Sequence, residues 1–154
     1  MGTFRLQPLV EFAEERSKLA AQELQRLRHQ WTLAEEKLQH LEEYLADYRL
    51  RLTDGVSGGM AMNVMRDFQR FIDKLELAIR AQSEEVVRCR QRWEAGQRLW
   101  SEREREVKAY HILRERHERD ALRTENIREQ RAQDESAQTI HRTRASEESN
   151  PPHK

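Results

Sequence analysis

The chain has 154 residues, 36% of them hydrophobic and 36% charged, a ratio too polar for a compact ball and suited to long solvated helices. Its 28 basic and 28 acidic residues cancel, so no global field draws it to nucleic acid or anionic lipid. The single cysteine, Cys89, excludes an internal disulfide and a cysteine-rich metal site.

In chain order, the first seven residues predict a flexible N-terminus without the apolar core of a secretory signal. A first helix is expected over residues 8–53, opening at Pro8, whose missing N–H is tolerated in a first turn. From Leu24 apolar residues recur at alternating steps of three and four: Leu27, Trp31, Ala34, Leu38, Leu41, Leu45, Tyr48 and Leu52. The stripe extends backwards, more thinly, through Ala20, Ser17, Ala13, Val10 and Leu6. A mean spacing of 3.5 keeps such a stripe facing one partner, which is the condition for a coiled coil.

Residues 54–59 form the break, with Gly55 expected to end the helix and Ser57 or Asn63 available to cap the next one. A second helix is expected over residues 60–131, with its stripe at Met65, Phe68, Ile72, Leu75, Ile79, Gln82, Val86, Cys89, Trp93, Gly96 and Trp100. The register then runs through Arg103, Val107, Tyr110, Arg114 and His117, turning polar. Folding about the break pairs Leu24 with the Arg88–Trp93 region and exhausts helix one opposite about residue 105. Residues 132–154 hold one aliphatic side chain larger than alanine, Ile140, and predict a disordered tail. The expected fold is therefore all-α: an elongated antiparallel two-helix coiled-coil hairpin with a longer second helix and a disordered C-terminal tail, monomeric when free.

For chemistry the sequence offers little. It has no glycine-rich phosphate loop, no Gly-x-Ser-x-Gly and no His-Glu-x-x-His. His111 and His117 point about 120° apart on a helix and cannot readily share a metal. The chain is expected to be no enzyme and to hold no cofactor or metal. The Arg-rich stretch 88–131 carries 12 Arg and one Lys against nine acids, net +4, but the interleaved acids cancel most attraction to phosphates, so no nucleic acid is expected. No run approaches the ~20 apolar residues that cross a bilayer, which predicts a cytoplasmic protein.

Function should then lie in what the surface touches. Tyr44 and Phe71 sit just off the stripes and, with Tyr48 and Leu75, would make an aromatic shoulder near the loop. A two-helix hairpin needs only its seam to hold together, so extra flank aromatics suggest a partner. Trp100, near where helix one thins out, is a second candidate for intermolecular contact.

The order Ala34, Glu35, Glu36, Lys37, Leu38, then Leu41, Tyr44, Tyr48, Arg49 and Leu52, resembles the FliJ family of the bacterial flagellar type III export apparatus. The likeness continues past the glycine-bearing loop with Phe68, Gln69, Arg70, Phe71, Ile72, Leu75, Glu76, Ala78 and Ile79, covering residues 34–80 well and the remaining helices in pattern. It implies a stalk whose open end enters the hexameric export ATPase (FliI), promoting its assembly and hydrolysis, while the loop-proximal flank meets the membrane export gate (FlhA). It also implies contact with export chaperones and a place at the flagellar base beside the inner membrane. The family's gate-contact cluster falls on Leu41, Tyr44, Tyr48, Phe71, Leu75 and Ala78, with the polar seam residue Gln82 nearby. No motif fixes the ATPase-facing residues; the polar, basic end of helix two supplies Trp100, Arg103, Arg105, Arg114 and Arg116. An adaptor escorting chaperones, a self-associating coiled coil, or the stalk of a virulence-type secretion system are the alternative readings.

Overall fold

A computed structural model describes residues 4–149 of the chain. Two helices account for nearly all of them: α1 (Gln7–Ser57, 51 residues) and α2 (Met62–Glu148, 87 residues). They pack against each other in a helical hairpin with the longer helix second, and there is no strand among the described residues.

The chain divides into two compact units. In the first, Ala13–Arg105, the two stripes become one seam. Every stripe position from Leu24 to Leu52 and from Met65 to Trp100 is buried or half-buried, as are Ala13, Ser17 and Ala20. Removing these apolar faces from water is the main force holding the helices together, at about 25 cal/mol per Å². The seam is ordered by specific neighbours. Trp31 and Trp93 meet at 5.3 Å between ring centroids, with the Arg28 guanidinium 4.1 Å above Trp31. Ser17 Oγ donates to Glu104 across the helices, and Arg49 Nη2 meets Glu76 Oε1 at 2.7 Å.

The reversal lies further along the chain than the glycine pattern suggested. Gly55 does not end α1; it lies inside the last turns, and a side chain there would collide with the Met60 methyl. Gly59, with φ +82°, is the residue that turns left-handed. Met60 N–H donates to Gly55 O (2.8 Å) and Gly59 N–H reaches Val56 O (3.4 Å), the paired bonds of a Schellman ending. Glycine fits because a Cβ is disfavoured at that φ. Ser57 belongs to α1 and Asn63 lies within α2, so neither caps the second helix. Because the turn falls later, Leu24 and Leu27 lie against Gly96, further along α2 than the 88–93 region expected opposite Leu24.

The second unit joins Met1–Phe12 to Glu106–Lys154. Pro8 occupies the first turn of α1, and Leu9 and Val10 N–H both donate to Leu6 O. Val10 is completely buried, while Leu6, Val107, Tyr110, Arg114 and His117 are half-buried. Phe4 packs on His117 with ring centroids 5.3 Å apart. Pairing therefore reaches residue 117, not 105, as the later turn requires. From residue 118 to 149 every residue is exposed.

The tail differs from its expected disorder: α2 continues to Glu148. Its helix is held locally, with Thr139 and Thr143 hydroxyls each donating 2.9 Å to the carbonyl four residues back. Low apolar content leaves nothing to bury, and every residue here is exposed; backbone hydrogen bonds and helix formers extend a helix already nucleated upstream. Residues 150–154 and 1–3, the ends of the expected tail and N-terminal segment, lie outside the described residues.

Candidate functional site: an aromatic shoulder and a basic stretch

The shoulder is assembled where both helices carry aromatics at helical spacing. Tyr48 is half-buried between Phe68 and Phe71, at ring-centroid distances of 5.9 and 4.5 Å, and the Arg51 guanidinium lies 5.4 Å from its ring. Tilted aromatic pairs of this kind add about 0.5–1.5 kcal/mol beyond area burial. Tyr44, one turn before Tyr48, is 59% exposed, and Phe71 is 41% exposed. Ala78 is exposed and Leu41 half-buried.

Leu75, by contrast, is 7% exposed and belongs to the seam, so it supports the shoulder from beneath instead of presenting a surface. Phe68, outside the expected contact set, shares the Tyr48 cluster. Its stripe position marked it as core, and only the cross-helix pairing shows that it also walls the shoulder. Gln82 is no surface residue: it is 8% exposed, and its Nε2 donates 2.9 Å to Ala34 O.

In the same unit Trp100 and Arg103 are half-buried and Arg105 is exposed. In the other unit Arg114 is half-buried with Nη2 3.1 Å from His111 Nδ1, and Arg116 is exposed. That unit also exposes Leu9, Phe12, Ile112 and Leu113, which stripe reasoning passes over because they lie off the seam. Arginines earlier on α2 pair with nearby carboxylates. Arg88 pairs with Glu85 at 2.8 Å, Arg92 with Glu85 at 3.6 Å, and Arg90 with Glu94 at 3.1 Å.

On α2, Glu85 and Cys89 both titrate away from their ordinary values. Hydrogen bonding from Arg88, then from Cys89, holds the Glu85 carboxyl below the usual carboxylate range. Burial first, then its bond to Glu85, pushes the Cys89 thiol up, which disfavours the thiolate on which cysteine reactivity depends. Among the described residues no group of three His, Cys, Asp or Glu could hold a metal ion. No described helix is long and apolar enough to cross a membrane.

Comparison with known proteins agrees with this architecture. The family model for the flagellar FliJ protein matches residues 1–146. The chain is 32% identical over 133 residues to the flagellar FliJ proteins of Escherichia coli K12 and of Salmonella typhi, covering 86% of this chain and 90% of each relative. The solved structure of a YscO homolog from Chlamydia trachomatis superposes with a TM-score of 0.69 at 18% identity, over 95% of this chain and 99% of that one. At that identity the likeness speaks to fold alone. Two long packed helices, the stripe order and these matches together establish that the chain belongs to the flagellar FliJ protein family, components of the flagellar type III export apparatus.

Proposed function

We propose that this chain is a non-enzymatic stalk, entering a hexameric export ATPase of the FliI type and linking it to an export gate of the FlhA type. Family membership over residues 1–146 supports the export setting, and the observation that carries the gate contact is the exposed rim of Tyr44 and Phe71 around half-buried Tyr48. Rigid aromatic surface that the hairpin does not need for its own seam is the chemistry of an interface hot spot. Leu41 and Ala78 extend that rim, and Leu75 fixes it from below.

On the ATPase side, Trp100, Arg103, Arg105, Arg114 and Arg116 are the contact candidates. Guanidinium groups fork onto carboxylates, and such pairs gain strength when partly desolvated inside a protein ring. Chaperone contact and a peripheral position at the inner membrane, reached through protein partners, complete the reading.

The double variant Tyr44→Ala, Phe71→Ala should keep wild-type helicity and lose gate protein in pull-downs at least tenfold. Normal gate capture would remove the shoulder from the interface. Purified chain should raise the turnover and hexamer fraction of the co-encoded export ATPase, and a chain ending at residue 131 should do so equally. An unchanged ATPase together with retained chaperone binding would instead favour the adaptor reading.

A further inference from the structure

We infer that Gln82 and Gly96 set the axial register of the hairpin, locking α2 against sliding along α1. The turn alone does not prevent a slide. One helical turn of displacement is about 5.4 Å, and three residues unwound from helical to extended rise supply about that length. The segment ending α1 is suited to such unwinding: Val56, Ser57, Gly58 and Gly59 are exposed and uncharged.

What resists the slide lies in the seam. Gln82 is a buried amide whose Nε2 donates 2.9 Å to the Ala34 backbone carbonyl. Ala34 carries only a methyl group, which lets α2 come close to the α1 backbone there. One turn away along the α1 stripe stand Trp31 and Leu38, whose bulk would hold the facing residue further from the backbone. A displaced Gln82 would therefore keep its burial and lose its acceptor, which incurs the desolvation of the amide without return.

The second lock is steric. A Cβ at Gly96 would already lie 2.7 Å from Leu27 Cδ1 and 3.6 Å from Leu24 Cδ1. The seam residues one turn either side of Gly96 are Trp93 and Trp100. A slide in either direction brings an indole to the place where a single added carbon is already too close. Polar seam positions fix register in coiled coils at some loss of stability, and here the polar position is paired with a steric one. This inference needs nothing of the export reading; it concerns how the two helices hold their alignment.

The test uses the full chain with Cys89→Ala and spin labels on cysteines placed at the exposed positions Gln30 and Gln69, far enough apart along the helices that an axial slide changes their separation by nearly its full length. The parent should give one narrow distance distribution. Gln82→Leu and Leu27→Ala should each broaden it, and the pair together should split it into components offset by roughly one helical turn. Gln82→Met with Leu27→Val is the milder pair should Leu27→Ala lose the fold, and it should broaden the distribution in the same sense. Residues that merely stabilise the hairpin would change the melting temperature and leave one distance. A narrow, unshifted distribution in the folded double variant overturns the lock.

Discussion

The seam of Ala13–Arg105 and the stretch 118–148 are both helix, yet they are helical for different reasons. In the seam, side chains such as Ile72 and Leu75 are removed from water by the opposite helix, and packing decides the backbone. From residue 118 to 149 every residue is exposed, and only local hydrogen bonds hold the helix. Most helical stability in proteins comes from burial of one face rather than from propensity. The two regions should therefore respond differently to the same kind of substitution.

The largest expected contrast is in truncation of aliphatic side chains. Ile72→Ala or Leu75→Ala should lower the unfolding free energy by about 2–3 kcal/mol in urea titration, whereas Leu122→Ala or Ile127→Ala should stay within about 0.5 kcal/mol. Equal losses in the two regions would show that 118–148 has a burial partner. Next in size is the turn. Gly59→Ala forces a Cβ into a left-handed backbone and should cost about 1 kcal/mol by the same measurement. Gly58→Ala, at a position without positive φ, should cost less.

The smallest effect is electrostatic and sharpens the contrast between seam and surface. Glu85 is held below its ordinary value by Arg88, so its contribution is present above the unfolded carboxylate value and lost as pH falls through the lowered folded one. Solvent screening keeps it small. The urea midpoint of the wild type should fall slightly more than that of Glu85→Gln as the carboxylate protonates. The raised Cys89 thiol has the opposite sign: its contribution is full below the unfolded thiol value and lost as pH rises through the folded one. Native Cys89 should therefore alkylate slowly near neutral pH and rapidly in urea.

Much of the fold was legible because a seam writes itself into sequence as alternating threes and fours. Each stripe residue from Leu24 to Leu52 and from Met65 to Trp100 lies away from full exposure. The turn was harder to read, since Gly55, Gly58 and Gly59 all permit a stop. Which one takes positive φ depends on Met60 closing back onto Gly55, a contact no periodicity encodes. That misplacement carried through to the partners of Leu24 and to the end of the pairing.

At the shoulder, the stripe puts Leu75 on the seam and Phe71 just off it, as their burial shows, but spacing does not tell that Leu75 is too buried to present a contact surface. Flank and seam differ there by a small rotation about the α2 axis. The stripe puts Gln82 on the seam beside the contact cluster; its acceptor on the other helix is visible only in three dimensions. In the tail, low apolar content forbids a core, and a helix growing from an ordered one needs none.

Residue-resolved hydrogen exchange on the free chain tests the central claim, that pairing between the two helices runs to His117 and stops. Amides around the buried seam residues Leu27, Ala34, Ile72 and Cys89 should exchange only through global opening, and those from 118 to 148 by local fraying, with the break in protection falling within a turn of residue 117. Uniform protection along all of α2, or a break near residue 105, would contradict this account.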